Sequence, residues 1–128
     1  MDDASNVNDA HSLRISAAGR PGEVLLMKVA GYLDAANFDR LEKALEDALD
    51  EGRSRVILDL AELNYINSAG VGVILAAISR ARSAAGDIVL VNPTQSVAVV
   101  FDLIGMSKFS HIVDTVEDAE ATFHPPTG

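Results

Sequence analysis

The sequence predicts a single α/β domain: a mixed central β-sheet of about four or five strands with four helices, in the order β-β-α-β-α-β-α-β-α. Three observations predict it. Short runs of β-forming residues alternate with helical patterns between residues 13 and 123. The first two strands follow one another through turn residues, which makes an antiparallel hairpin, whereas the later strands are separated by helices and are joined by right-handed crossovers. The length of 128 residues suits one core, enough to bury roughly two-thirds of the unfolded surface.

Leu13-Arg-Ile15 and Glu23 to Leu33 (EVLLMKVAGYL) are the hairpin strands, with Ala-Gly-Arg-Pro-Gly supplying the turn between them. From Asn37 to Glu51 the apolar residues Phe38, Leu41, Ala44, Leu45, Ala48 and Leu49 recur at three- and four-residue intervals, and Gly52 stops the pattern. That is an amphipathic helix. Arg55 to Leu60 (RVILDL) is an apolar, β-branched run suited to a central strand covered on both faces. A loop and a second helix from about Ala69 to Ala84 follow, ended by Gly86, and Asp87 to Val91 (DIVLV) is the next strand. Asn92-Pro93 places a capping side chain before a proline suited to a first helical turn, and the third helix runs to about Leu103. Phe109 to Val113 is an expected edge strand, and Thr115-Val-Glu-Asp118 resembles a capping box opening a last short helix. Residues 1–12 carry too little apolar surface to pack, and His124-Pro-Pro-Thr-Gly128 cannot continue a helix. Flexible tails are therefore expected at 1–12 and 124–128, around a domain spanning 13–123.

Composition narrows the function. Ten Lys and Arg against nineteen Asp and Glu give a net charge of -9, which repels phosphate backbones and anionic lipid surfaces, so no nucleic acid partner is expected. With no cysteine and three dispersed histidines (His11, His111, His124), no metal site is indicated. The N-terminus is acidic where a signal peptide would be basic, and the longest apolar run, Ala69 to Ile78, is too short to span a bilayer. No membrane insertion and a cytoplasmic location are the resulting expectations.

Residues 65–74 read YINSAGVGVI. A serine between a strand and a helix can serve as a nucleophile, a helix cap or a phosphorylation site. A hydrolase nucleophile elbow needs glycine two residues before the serine, where this chain has Ile66. Ser68, Asp102 and His111 can be drawn as a catalytic trio, but chain order alone does not make one. Gly70-Val-Gly72 lacks the third glycine of a dinucleotide fingerprint, and no phosphate-loop lysine follows, so no cofactor is implied. Asn67 and Ser68 can both cap the helix. Neither explains the small residues Ala69, Gly70 and Gly72. Either the helix packs tightly on the sheet, or another protein's surface approaches the backbone there.

Three segments resemble a known family in order and spacing: GYLDAANFDRLEKAL at 31–45, VILDLAELNYINSAGVGVIL at 56–75 and NPTQSVAVVFDLIGMSKF at 92–109. The family is the STAS domain, and within it the small stand-alone anti-sigma factor antagonists. Its usual motif is Asp-Ser-Ser/Thr-Gly-Leu-Gly, whose first serine is phosphorylated by a kinase that is also the anti-sigma factor. That serine falls on Ser68. Asn67 stands in place of the family's Asp and Ala69 in place of its second hydroxyl residue. Losing the carboxylate removes like-charge repulsion against an incoming phosphate. Asp34 falls where the family has an acidic residue near the kinase contact, although by itself it reads equally as a turn or cap aspartate.

The resemblance implies a partner-binding face of Asp34, Asn67, Ala69, Gly70 and Val71, with Ser68 as phosphoacceptor. It implies an anti-sigma factor with serine kinase activity as partner, released when Ser68 is phosphorylated. The chain would be a substrate and not an enzyme, with ATP and magnesium belonging to the kinase; homo-oligomers are left open. The alternative is a phosphorylation-independent STAS subunit of a lipid transporter or sensory scaffold, toward which Asn67 and Ala69 point.

Overall fold

The computed structural model describes residues 12–123, so the tails expected at 1–12 and 124–128 lie outside the described residues except for Ser12, whose carbonyl accepts from the Tyr32 N–H at 3.0 Å. Five strands form one sheet in the order β1-β2-β3-β4-β5: β1 Leu13–Arg20, β2 Val24–Leu33, β3 Arg55–Ile66, β4 Asp87–Val91 and β5 His111–Val113. β1 is antiparallel to β2, and every later pairing is parallel. Four α-helices connect or follow the strands: α1 Phe38–Asp50, α2 Ser68–Ser83, α3 Gln95–Ile104 and α4 Val116–Phe123. The predicted element order is the observed one.

The apolar spacing of α1 buries Leu41, Leu45 and Ala48 against β2 and β3, where Met27, Leu33, Val56, Leu58 and Ile66 belong to the same core. α2 adds Ile74, Ala77 and Ile78 to that core, and α3 adds Val97 and Phe101. The opposite face carries a smaller layer, in which Val24, Ile57, Val89 and Val91 meet Ala119, Val116 and Phe123 of α4. Arg20 on β1 donates to Glu120 on α4 at 2.7 Å, and that bond, with the carboxylate's charge, raises the Arg20 pKa.

Four boundaries differ from the sequence reading, each for a local reason. β1 runs on to Arg20 because Ala18 and Gly19 pair with Leu26 and Leu25 instead of turning. β3 continues past Leu60 to Ile66. It carries two more residues than β2 over their shared length, since Lys28 pairs with Asp59 but Ala30 with Glu62, and Gly31 with Leu63 but Tyr32 with Tyr65. Each extra residue is a bulge that breaks the two-residue alternation. α3 is capped at Thr94 and starts at Gln95, because Asn92 adopts φ 49° and cannot serve as an extended N-cap. Phe109 ends a 3-10 turn over Met106–Lys108, which leaves β5 only three residues. Of the expected capping box the Thr115 half is seen: Asp118 N–H donates to Thr115 Oγ1 at 3.0 Å.

Two glycines separate two kinds of backbone demand. Gly52, after α1, has φ +84° with nothing within 4 Å of an added Cβ, whereas a Cβ on Gly86 would sit 2.0 Å from the Ser54 carbonyl oxygen. Gly52→Ala should cost about 1–2 kcal/mol of left-handed strain. Gly86→Ala should cost more than about 2 kcal/mol, because backbone must move. Urea unfolding of the two variants checks this, and equal losses would contradict the close approach of Gly86 to Ser54.

Candidate functional site

The parallel strands deliver their following loops to one end of the sheet, where open α/β sheets place their sites. Leu33 and Ile66 are register partners at the ends of β2 and β3, and the Asn67 N–H donates to the Leu33 carbonyl at 3.1 Å. The loop carrying Asp34 and the turn carrying Ser68 therefore leave side by side. A third loop joins them. β4 pairs with β3 only as far as Asp59, and beyond it the Thr94 hydroxyl donates to the Leu63 carbonyl at 2.6 Å, doing the work of a ladder bond.

α2 begins at Ser68 because Asn67 caps it. Asn67 is extended, and its side-chain oxygen accepts from the Gly70 N–H at 2.9 Å, a bond typically worth about 1 kcal/mol. Of the two capping candidates, Asn67 holds the cap, while Ser68 occupies the first helical position and is exposed. Gly70 is buried, and a Cβ there would come within 2.7 Å of Leu33 Cδ2 and 3.0 Å of Ile66 Cγ1. Tight packing on the sheet explains this glycine. Val71 is 6% exposed and belongs to the core. Gly70 and Val71, expected on a partner surface, are thus buried and present no side chains at the exterior; Ala69 is half-buried.

Gly72 is the converse case, exposed on the second turn with nothing within 4 Å of an added Cβ. A glycine inside a helix costs about 0.5–1 kcal/mol relative to alanine, and no contact among the described residues explains it. Its signal in the sequence is the Gly-x-Gly pattern, whose two members look alike until the helix is laid on the sheet.

Asp34 forms the turn that enters α1. Its carboxylate accepts from the Ala36 N–H at 3.0 Å, and its own N–H donates to the Asn37 side-chain oxygen at 2.9 Å. The Asn37 amide donates to the Tyr32 carbonyl at 2.9 Å. Asn37 is buried at 8% exposure, so it fixes the loop from inside, a role the sequence reading missed along with that of Thr94. Tyr32 and Tyr65 lie in register on the sheet with ring centroids 6.4 Å apart. In the three loops at this end, residues 34–37, 64–72 and 92–96, Asp34 is the single charged residue of a chain with net charge -9.

The hydrolase trio is not assembled. His111 Nε2 lies 4.0 Å from Asp87 Oδ2, at the strand end away from Ser68, and Asp102 is an exposed residue of α3. Among the described residues, no helix is long and apolar enough to cross a membrane.

Residues 15–119 match the model of the STAS domain family. BtrV of Bordetella bronchiseptica, named as an anti-sigma factor antagonist, is 34% identical over 100 residues, covering 78% of this chain and 86% of BtrV. The chain belongs to the STAS domain family. Other members with solved structures share the fold at lower identity. An anti-sigma factor antagonist from Mycobacterium paratuberculosis superposes with a TM-score of 0.81 at 19% identity, covering 88% of this chain and 95% of that one. The antagonist SpoIIAA in its unphosphorylated form gives 0.74 at 22% identity, covering 91% of this chain and all 100% of its own. The quoted STAS motif of this chain is thus divided between a buried half, Gly70-Val71, and an exposed half, Ser68 and Gly72.

That division has opposite thermodynamic signs. Gly70→Ala should destabilise by more than about 2 kcal/mol through collision with Leu33 and Ile66. Gly72→Ala should stabilise by about 0.5–1 kcal/mol, since the methyl group enters open space on a helix. Chemical unfolding of both variants is the check. A loss at Gly72 comparable to that at Gly70 would contradict the assignment.

Proposed function

We propose that this STAS protein is an anti-sigma factor antagonist of the cytoplasm, regulating transcription by partner switching. It docks through the Ser68 end of its sheet onto an anti-sigma factor with serine kinase activity, frees the sigma factor, and is released when Ser68 is phosphorylated. The observation that carries this reading is an exposed serine at a helix start, set in a surface whose loops hold one charged residue, Asp34. The names of its relatives, BtrV and the anti-sigma-B factor antagonist of Staphylococcus epidermidis, support the same role.

The chemistry follows from the surroundings. The Ser68 hydroxyl projects from the first position of α2, and the kinase supplies ATP and magnesium. Transfer forms a bond between Ser68 Oγ and the γ-phosphorus and breaks that phosphorus's bond to the β,γ-bridging oxygen, with ADP leaving and the hydroxyl proton passing to a base of the kinase. The product adds about -1.5 to -2 charge units to a surface that was nearly neutral. Inside the chain this charge is tolerated, because the helix N-terminus favours an anion by about 0.3–1 kcal/mol at an exposed position. Against a docked partner the same charge must be desolvated, which costs several kcal/mol unless it is paired. Phosphorylation therefore acts on binding and spares the fold. Asp34 and Ala69 share the docking face with Ser68, Asn67 sets the start of α2 as its cap, and the bare backbone at Gly72 allows a partner to approach closely.

Incubation with the cognate kinase and ATP, followed by peptide mapping, should place the phosphate on Ser68; modification elsewhere with Ser68 untouched would refute the assignment. Ser68→Ala should bind the partner permanently. Ser68→Asp should melt within a few degrees of the wild type yet bind at least about tenfold more weakly, the equivalent of 1.4 kcal/mol. Equal affinity in a folded Ser68→Asp protein would favour the phosphorylation-independent STAS subunit.

A further inference from the structure

We propose that two copies of this chain join through their β1 strands into one continuous antiparallel seam. The two sheet edges are unlike. β5 offers three residues, whereas β1 offers eight and pairs with β2 without a bulge. Hydrogen-bond parity shows what β1 presents. The Ser12 carbonyl accepts from the Tyr32 N–H, and Leu13 is the register partner of Gly31. In an antiparallel ladder, bonded and non-bonded pairs alternate, so the even residues of β1 bond to β2 and the odd ones turn their N–H and C=O groups outward. The structure covers one of these: Arg40 Nη1 donates to the Leu13 carbonyl at 2.8 Å. The outward groups of Ile15, Ala17 and Gly19 are a template for another strand.

Edge strands are ordinarily protected by charge, proline, bulges or brevity. Residues 15–19 read ISAAG and supply none of these themselves, while Arg14 and Arg20 flank them and the Arg53 guanidinium lies 3.6 Å from an added Cβ on Gly19. The occupant that fits is the same strand from a second copy. With a two-fold axis at Ser16, odd residues meet odd and even meet even: Ile15 faces the partner's Ala17, Leu13 faces Gly19 and Arg14 faces Ala18. Large side chains oppose small ones, and no arginine opposes another. A two-fold axis at Ala17 would set Arg14 against Arg20, and like charges directly opposite are destabilising. On the helix side, a groove of about 450 Å³ runs along β1, with Ile15, Ala17, Met27, Ala44 and Ala48 on its apolar wall and Asp47, Glu51 and Arg53 at its charged margin. The second copy's Ile15 would be brought beside this groove. Docking there leaves Ser68, at the end of β3, outside the seam.

Sedimentation velocity over a concentration series should show a dimer of the 13.5 kDa chain. Ala17→Pro removes an outward donor that no described residue uses, so the variant should fold and dimerise at least about tenfold more weakly. Ile15→Lys, which places a charge on the edge, should do the same if the proline variant fails to fold. The axis has its own readout, because the chain lacks cysteine. Ser16→Cys would face its own copy in a non-bonded pair, with Cα atoms about 4.5 Å apart, within disulfide range. Mild oxidation should therefore yield a covalent dimer. A monomer at every concentration, a dimer indifferent to folded Ala17→Pro or Ile15→Lys, or a dimer in which Ser16→Cys does not cross-link would each overturn the proposal.

Discussion

The seat of Gly70 on Leu33 and Ile66 determines how the end of the sheet that carries Ser68 is built. Because the first turn of α2 has no side chain at that point, the helix descends onto the ends of β2 and β3. That descent brings the Asn67 N–H onto the Leu33 carbonyl and the Asn67 side chain over the Gly70 N–H. The cap then fixes Ser68 as the first helical residue, pointing away from the core. The loop from Leu33 to Asn37 is held beside it by the buried Asn37 amide. Relaxing the contact would displace cap, serine and acidic loop together, because they share two strand ends.

The same architecture separates stability from recognition. The buried residues of this end, Leu33, Ile66, Gly70 and Val71, are tightly placed, while its exposed residues are Ala35, Ala36, Asn64, Tyr65, Ser68 and Gly72 among others. Little folding energy rests on those exposed groups. A phosphate at a helix N-terminus meets free backbone N–H groups in the isolated chain and an unsolvated surface in a complex. On the proposed reading, one modification would change binding by far more than it changes folding, which is what a reversible partner switch requires. The acidic residues elsewhere set long-range charge without entering this contact, and the near-neutral loops let a single added charge dominate it.

How much of this was legible depended on whether the signal was local. α1 was read almost to the residue, because its charge pattern and Gly52 are written in sequence order. The end of β3 was not, because bulges opposite Lys28–Ala30 and Gly31–Tyr32 change its inward spacing from two residues to three, and the broken alternation reads as a loop. Asn92 looked like a cap until its left-handed backbone passed that position to Thr94. Ser68, Asn67 and Asp34 were singled out through the family-like motif, and Asn67 also as a capping residue, the part the structure shows. Gly70 and Gly72 could not be told apart, since burial of one and exposure of the other arise from the angle at which α2 meets β2. Asn37 and Thr94 act through bonds to the Tyr32 and Leu63 carbonyls, pairings that chain order does not reveal.

The central claim is that phosphate at Ser68 alters a docking surface and leaves the domain intact. Backbone amide spectra of the unmodified and Ser68-phosphorylated chain, each titrated with the anti-sigma partner, test it most directly. In the free proteins, phosphorylation should shift amides of residues 34–37 and 67–72 and leave those of α4 and the α1 core unmoved. The partner should then broaden the first set of signals in the unmodified protein and none in the phosphorylated one. Shifts spread through the core, or equal broadening of both forms, would contradict the account.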